Sequence, residues 1–139
     1  MFMIFNIDSM KTFAEAYIAK QDIEIFQGIR RLIDSVDGFD IGGELTCHDI
    51  SRAVAGIFPV RMETGYYFRG FEHSWLRTEN RNIIDVYPVG VIGGPILVAY
   101  EVGQFLYRPE VLKNVDTLSD TFDATAKIIE EALRQKIKE

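Results

Sequence analysis

The hydrophobic pattern of this 139-residue chain changes its period at Phe58-Pro59. Just before that point, apolar residues recur at three- and four-residue spacing, which is typical of an amphipathic helix. From Val60 onward, apolar and polar residues alternate, which is typical of strands with one buried face. Proline favours a helix end because it drives the preceding residue away from helical geometry. The sequence therefore predicts helices followed by an antiparallel sheet, an α+β fold.

Two amphipathic helices are predicted in the N-terminal part of the chain. Ser9 is a residue type that caps helices, and Asp37-Gly38 supplies the end of the second helix. The apolar stripes are Phe13, Ala16 and Tyr17 in the first helix and Ile23, Phe26, Ile29, Ile33 and Val36 in the second. Because an apolar stripe requires burial, we expect both helices to pack on the sheet.

A third helix is predicted to start at Thr46, after a flexible Gly42-Gly43 turn. Threonine is a favoured N-cap residue, and this start places Cys47 in the first helical turn. Free backbone N–H groups and the helix dipole stabilise an anion there. Since a thiolate is such an anion, Cys47 is a candidate nucleophile.

Three antiparallel strands are predicted over Val60–Arg69, Glu72–Thr78 and Ile83–Tyr87. Because side chains alternate along a strand, each strand divides its residues between two faces. His73 shares a face with Trp75 and Arg77 in the middle strand, and Asp85 shares a face with Ile83 and Tyr87 in the third.

Asp85 lies between Ile84 and Val86, and a carboxylate in such an apolar strand requires a polar partner. His73 is the predicted partner. The short turn between the two strands leaves this pair a few positions out of register. We therefore expect a bulge or a longer turn to bring the two side chains together.

The remaining chain is predicted to finish the sheet and add a long helix. After a glycine-interrupted loop, further strands are expected over Ile96–Tyr100 and Gln104–Tyr107, and Arg108-Pro109 ends the sheet. Ser119 is predicted to cap a C-terminal helix that packs on the core or pairs subunits in a homodimer. Its apolar stripe is Phe122, Ala126, Ile129, Leu133 and Ile137. With no repeat or linker, we expect residues 1–139 to form a single domain.

Composition excludes several partners. Lys and Arg number 15 against 21 Asp and Glu, giving a net charge of -6, and no basic stripe is present, so we expect neither nucleic-acid nor membrane binding.

The single cysteine cannot form an intramolecular disulfide, and a free thiol persists best in a reducing compartment. The N-terminus lacks signal-peptide features, and the longest apolar segment is too broken to span a bilayer. A cytoplasmic protein is expected.

Cysteine, histidine and aspartate in this order can form a nucleophilic site. An imidazole beside the thiol lowers the thiol pKa, and a carboxylate behind the imidazole orients it. Taken singly, Cys47 and His73 also fit ordinary packing roles. His48 is assigned a satellite role, because neighbours in a helix point in different directions. The spacing matches no zinc motif, so neither metal nor cofactor is predicted.

Three segments carry a family resemblance. They are the helix opened by Cys47, the strand His73-Ser74-Trp75 and the strand Ile84-Asp85-Val86-Tyr87-Pro88. Together they resemble the transglutaminase-like superfamily of papain-related folds, with its His-x-Trp and hydrophobic-Asp-x-x-Pro patterns. The resemblance implies a papain-like core, with Cys47 as nucleophile, His73 as base and acid, and Asp85 as orienter.

The predicted function is a cysteine hydrolase that cleaves a peptide or other amide through a thioester. Trp75, Tyr66 and Tyr87 are predicted to contact the substrate. One alternative is an inactive papain-like fold that binds peptides through its aromatic residues or supports assembly through its final helix. Another is an acyltransferase similar to arylamine N-acetyltransferases, which share the triad order, although Glu44, Leu45 and Thr46 separate the Gly-Gly pair from Cys47.

Overall fold

The computed structural model describes residues 4–5, 18–36, 46–68, 70–86 and 95–139. Within these residues helices and strands alternate irregularly, and six strands form one sheet. The elements are β1 (Ile4–Phe5), α1 (Lys20–Asp34), α2 (Cys47–Ala55), β2 (Arg61–Tyr67), β3 (Phe71–Arg77), β4 (Ile83–Asp85), β5 (Ile96–Val98), α3 (Tyr100–Leu106), β6 (Tyr107–Pro109), α4 (Lys113–Thr117) and α5 (Ser119–Ile137). The α+β prediction is confirmed.

The sheet has the strand order β1-β5-β4-β3-β2-β6, and every neighbouring pair is antiparallel. Strands β2, β3 and β4 are consecutive in sequence and adjacent in space, as the alternating pattern predicts. Gly65 lies opposite His73, and Arg77 lies opposite Ile83. These two registers place β3 at the centre of the sheet region that carries the candidate site.

Helices cover one face of the sheet. Their apolar side chains pack on Leu76, Ile84 and Leu97. The buried helical residues in this layer are Ile23, Phe26, Ile29 and Ile33 of α1, Ile50, Ala53 and Val54 of α2, and Ala126, Ile129 and Leu133 of α5. The predicted packing of the second N-terminal helix, α1, is thus confirmed, and the C-terminal helix packs on the core. The helix predicted from Ser9 lies largely outside the described residues, as do the Gly42-Gly43 turn and the loop after Val86.

A second apolar layer lies on the opposite face. Its buried members are Trp75, Ile83, Ile96, Val98, Leu106 and Tyr107. Helix α3 approaches this layer closely, because a Cβ atom on Gly103 would lie 2.7 Å from Ile83 Cδ1. The His73 face of the central strand is therefore buried under its own layer of side chains.

Several boundaries differ from the sequence prediction, and three of them change how an element is assigned or capped. Gln104–Tyr107 is not a strand, since α3 occupies most of it and only Tyr107 starts β6. Arg108-Pro109 does not end the sheet either, because an edge strand tolerates a proline that donates no hydrogen bond. Ser119 is the first residue of α5, not its cap; Leu118 holds the cap position, and no side chain caps the helix.

Gly65 allows β6 to pair closely with β2. A Cβ atom at this position would lie 2.0 Å from the Arg108 carbonyl oxygen and 2.8 Å from Pro109 Cα. Since both neighbours are backbone atoms, the space cannot be made by rotating a side chain. Any larger residue would separate the two strands.

A buried carboxylate joins α1 to the turn between β3 and β4. Asp22, which is 1% exposed, accepts hydrogen bonds from Thr78 Oγ1 at 2.7 Å, Asn80 Nδ2 at 3.2 Å and Asn82 Nδ2 at 2.7 Å. A buried carboxylate is tolerated when several donors satisfy its oxygens. This Asp22 cluster fixes the first turn of α1 against the hairpin that leads into β4.

Candidate functional site

The start of α2 is defined by a capping box. The Thr46 backbone N–H donates to Asp49 Oδ1 at 2.8 Å, and the Asp49 N–H donates to Thr46 Oγ1 at 3.4 Å. Cys47 is consequently the first helical residue, as predicted, and it is partly buried. The helix N-terminus therefore favours an anion at the position of the thiol.

His73 and Asp85 form a buried pair on β3 and β4. The carboxylate oxygens lie 2.9 and 2.8 Å from His73 Nε2, and the two side chains are 2% and 0% exposed. The register pairs Arg77 with Ile83 and Leu76 with Ile84, so Asp85 reaches His73 diagonally across the strands. The expectation of a bulge or a longer turn was wrong, because these side chains are long enough to span the diagonal.

Tyr107 is a third member of this group that the sequence analysis missed. Its hydroxyl donates to Asp85 Oδ2 at 2.7 Å, and its ring lies 5.0 Å from Tyr67 and 5.1 Å from Trp75 between centroids. Burial and the Asp85 charge raise the pKa of Tyr107, so the hydroxyl remains a donor. Asp85 thus accepts hydrogen bonds from both His73 and Tyr107. The one available signal was the buried carboxylate itself, which requires more than one donor.

The Cys47 thiol lies beside two imidazoles. Burial raises the pKa of Cys47, but hydrogen bonds with His48 and His73 and the positive charge of His73 lower it, and the net pKa is about 6. An ordinary thiol is mostly protonated at neutral pH, whereas this one is mostly thiolate. Because Asp85 occupies His73 Nε2, His73 Nδ1 is the nitrogen left to face the sulfur.

His73 is the charged partner of the thiolate. Burial lowers the pKa of His73, but hydrogen bonds with Asp85 and Cys47, together with their negative charges, raise it to about 10. Between the two pKa values, Cys47 carries a negative charge and His73 a positive one. This ion pair is the resting state of an activated cysteine.

His48, the predicted satellite residue, is among the groups that lower the pKa of Cys47. Its ring is turned toward β3, where Nδ1 lies 2.5 Å from Ser74 Oγ. The start of α2 rests on β3, and this contact fixes the direction of the His48 ring. Alternation places Ser74 on the helix-covered side of β3, and that signal could have indicated the contact.

The predicted substrate residues have different environments. Trp75 is 0% exposed and donates from Nε1 to Glu63 Oε1 at 2.9 Å, which leaves it no surface for the predicted substrate contact. Tyr66 is partly buried, lies opposite Glu72 on the face away from His73, and has Arg108 5.1 Å above its ring. Tyr87 lies outside the described residues. Contacts of Tyr66 and Tyr87 with substrate stay predictions.

Exposed aromatic residues flank the His73 face at the β2–β3 turn. Phe68 and Phe71 are 55% and 56% exposed. Tyr67, which lies opposite Phe71, connects them to the site, since its ring centroid is 6.1 Å from His73. An apolar surface therefore begins next to the imidazole.

A cavity of about 270 Å³ lies elsewhere, at the far ends of β2 and β3. It is lined by Pro59, Val60, Arg61, Arg77, Thr78 and Glu79. Arg77 is four residues along the strand from His73, or roughly 13 Å, so this cavity is not part of the Cys47 site.

The described residues include no group of three His, Cys, Asp or Glu side chains placed to hold a metal ion. No helix in the described part of the chain has both the length and the apolar content to cross a membrane.

Comparisons with protein-family models, with curated proteins and with solved structures found no match to this chain. A thiolate, an imidazolium and an orienting carboxylate can support nucleophilic attack followed by proton delivery.

Proposed function

We propose that this protein is a cysteine-dependent hydrolase that cleaves a peptide or other amide through a thioester intermediate. The observation that carries the proposal is the convergence of Cys47 at a helix start with the buried His73–Asp85 pair. Each of these groups has an ordinary structural role when it occurs alone. Together they form the nucleophile, acid–base and orienting groups that acyl transfer requires.

In the acylation step, the Cys47 thiolate attacks the amide carbonyl carbon, a C–S bond forms and the carbonyl electron pair moves to oxygen. The His73 imidazolium then gives its Nδ1 proton to the amide nitrogen as the C–N bond breaks. The amine leaves and a thioester remains. Asp85 keeps Nε2 engaged, so Nδ1 stays directed at the reacting atoms throughout.

In the deacylation step, His73 acts as a base. Its neutral Nδ1 takes a proton from water, the hydroxide oxygen bonds to the thioester carbon, and the C–S bond breaks. The acid is released, and the thiolate–imidazolium pair is restored. The capping box takes up the N–H groups of Thr46 and Asp49, so those of Cys47 and His48 are the ones proposed to stabilise the oxyanion formed in both steps.

A papain-like core of the transglutaminase-like kind belongs to the same proposal. What supports it is the succession of α2, β2, β3 and β4, with the nucleophile at the helix start and the other two groups on adjacent antiparallel strands. A single domain, a cytoplasmic location and a homodimer are parts of the proposal that require separate experiments.

The test is turnover of a panel of small amides and peptides by the wild-type chain and by Cys47→Ala and His73→Ala. We expect each substitution to reduce turnover by at least about 10³-fold, because losing one member of a catalytic triad costs nearly as much activity as losing all of them. Glu72→Ala is the matched control, because Glu72 is the exposed neighbour of His73 and should leave turnover unchanged. Retained turnover in Cys47→Ala contradicts the proposal.

A binding module is the second candidate function. The exposed Phe68 and Phe71 favour it, because an apolar surface next to the site can hold a peptide without any reaction. This alternative predicts peptide binding that Cys47→Ala does not change and no thioester in mass spectra of the protein incubated with substrate. An acyltransferase differs only in its acceptor, and added amines would then increase the rate of thioester breakdown.

A further inference from the structure

The face of β3 that carries His73 changes from buried to exposed at the start of the strand. Side chains alternate along a strand, so Phe71, His73 and Trp75 share one face. Trp75 and His73 are 0% and 2% exposed, whereas Phe71 is 56% exposed. The layer of side chains that buries the base therefore ends at Phe71, which lies roughly 7 Å along the strand from His73.

Tyr67 extends this open end of the face onto the neighbouring strand. Tyr67 is paired with Phe71, and Gly65 is paired with His73, so the Tyr67 side chain lies on the same side of the sheet as the imidazole. The Tyr67 ring centroid is 6.1 Å from that of His73. Because Gly65 has no side chain, it is the Tyr67 ring of β2 that lies beside the base.

Phe68 adds a second exposed ring at the β2–β3 turn. It is 55% exposed, and its ring centroid lies 6.4 Å from that of Tyr67. Its backbone has a φ of 53°, in the left-handed region that favours glycine or asparagine, and its N–H donates to the Leu106 carbonyl at 2.7 Å. A bulky aromatic residue is uncommon in this conformation. The turn therefore presents an aromatic ring to solvent where its backbone alone favours a smaller residue.

We propose that Tyr67, Phe68 and Phe71 bind an apolar side chain of the substrate, which is then an amide or peptide with an aromatic or large aliphatic group near the cleaved bond. This inference rests on the proposed function and adds a substrate class to it. The occupant follows from position, because the reacting carbonyl lies next to His73 in the proposed reaction. An extended peptide advances about 3.5 Å per residue, so a side chain about two residues from that carbonyl reaches Phe71.

The neighbouring charges face away from these three rings. Glu72 follows Phe71 along β3 and therefore points to the other face of the sheet. Arg108 lies 5.1 Å above the ring of Tyr66, which is paired with Glu72 on that other face, and 3.7 Å from Glu110. The three rings thus offer an apolar surface that matches an apolar group better than a charged one.

The test compares the rates at which two haloacetamides alkylate Cys47, N-methyl iodoacetamide and N-(2-phenylethyl) iodoacetamide. In both reactions the sulfur bonds to the reagent's CH₂ carbon and iodide leaves, so the reagents differ only in the apolar group. The chain has one cysteine, and the labelled fraction reports this thiol alone. Glutathione gives the rate ratio of a thiol without a neighbouring surface. We expect the chain to prefer the phenylethyl reagent by about 10-fold more than glutathione does.

Phe71→Ser and Phe68→Ser remove the apolar rings one at a time. We expect each to lower the phenylethyl preference by at least about 3-fold and to leave the rate with the methyl reagent unchanged. Ile128→Ser is the matched control, because Ile128 is 72% exposed on α5, a helix of the layer on the opposite face. It should keep the full preference. Thermal unfolding of the three variants checks that each is folded.

Paired peptides extend the test to turnover. In each pair, one peptide has phenylalanine and the other alanine at the same position on the acyl side of the cleaved bond. We expect Phe71→Ser to reduce kcat/KM for the phenylalanine peptide and to leave that for the alanine peptide unchanged. A loss of folded protein lowers both values equally, so the ratio of the two reports the surface itself.

The outcomes distinguish this inference from the proposed function. At pH 6, a methyl-reagent rate no faster than that of glutathione shows an ordinary thiol and overturns both. A faster rate with no phenylethyl preference overturns only the substrate class. A wild-type dimer that Phe71→Ser converts to a monomer in sedimentation, again with no preference, assigns the surface to a second copy and also overturns the substrate class. A preference that falls in Phe71→Ser and not in Ile128→Ser supports the inference.

Discussion

Asp85 positions His73 and Tyr107 in the candidate site through hydrogen bonds. It is fully buried in the sheet, and both of its oxygens accept hydrogen bonds from His73 while one also accepts from Tyr107. A buried carboxylate without partners is strongly unfavourable, so these contacts are required for folding as well as for chemistry. The orientation of His73 therefore follows from the way Asp85 is satisfied.

Removing the Tyr107 hydroxyl tests this dependence. We expect Tyr107→Phe to lower the free energy of unfolding by about 1 to 3 kcal/mol, because a buried carboxylate loses a donor. Turnover of the amide panel should fall as well, since Asp85 and His73 lose a fixed contact. Urea unfolding and turnover are the measurements. Tyr100→Phe is the control, because the Tyr100 ring packs against Arg81 and its hydroxyl has no hydrogen bond with Asp85 among the described contacts. Equal losses in both variants contradict the role given to Tyr107.

The two shifted pKa values predict a broad pH optimum. The pKa of Cys47 is lowered to about 6, so acid removes activity by protonating the thiolate. The pKa of His73 is raised to about 10, so base removes activity by taking the proton that the leaving amine needs. We expect kcat/KM to rise near pH 6, stay level and fall near pH 10. A profile whose acid limb lies near 8.5 contradicts an activated thiol.

How far the residues could be predicted depends on the separation of their partners. His73 and Asp85 could be paired from sequence, because alternation in two adjacent strands shows which side chains share a face. Tyr107 could not, since it belongs to an edge strand that pairs with β2 and reaches Asp85 from outside the local hairpins. The burial of Trp75 was missed for the same reason, because Tyr107 and Leu106 arrive from a distant part of the chain.

At the scale of elements, the start of α2 determines where the thiol lies. The capping box uses Thr46 and Asp49 and makes Cys47 the first helical residue. Local signals of this kind are readable from sequence, because the cap and the helix are only a few residues apart. The cap predicted at Ser119 was wrong even so, which shows that a suitable residue type does not by itself establish the contact.

Removing the Thr46 cap is expected to destabilise helix α2 and to make Cys47 less reactive. Thr46→Ala should cost about 1 kcal/mol in unfolding free energy and slow Cys47 alkylation at pH 7, because the first turn holds the thiolate less well. Ser119→Ala is the matched control and should change neither quantity, since Ser119 makes no cap hydrogen bond. Similar losses in both variants would show that the α2 cap has no special role.

Elements after β5 were harder to predict. Val102, Phe105 and Leu106 recur at helical spacing, yet the run is short enough to suit a strand as well. Packing decides the outcome, because Gly103 allows α3 to lie directly on Ile83. A short amphipathic stretch can be assigned only when the surface it covers is known.

At the scale of the whole molecule, the Asp22 cluster joins the N-terminal helix to the strand hairpin that carries Asp85. The contact spans 56 to 60 residues of sequence, from Asp22 to Thr78 and Asn82. No local pattern predicts it, since its members have ordinary helix and turn compositions. It belongs to the part of the fold that only the assembled structure reveals.

Asp22→Ala tests this long-range contact. We expect the free energy of unfolding to fall by about 3 kcal/mol, because several buried donors lose their acceptor at once. Asp34→Ala is the control on the same helix: Asp34 is 60% exposed and lies 3.7 Å from Arg30, so its loss should cost less than about 1 kcal/mol. Urea unfolding of both variants makes the comparison, and equal costs contradict the importance of the Asp22 cluster.

The three central groups of the candidate site lie on α2, β3 and β4, all between residues 47 and 85. The nucleophile, base and carboxylate therefore come from one short stretch of sequence, while the segments before and after it pack around them. Such an arrangement separates two kinds of evolutionary change. Insertions and replacements in the flanking segments can alter what reaches the thiol, and they leave the spacing of nucleophile, base and carboxylate untouched.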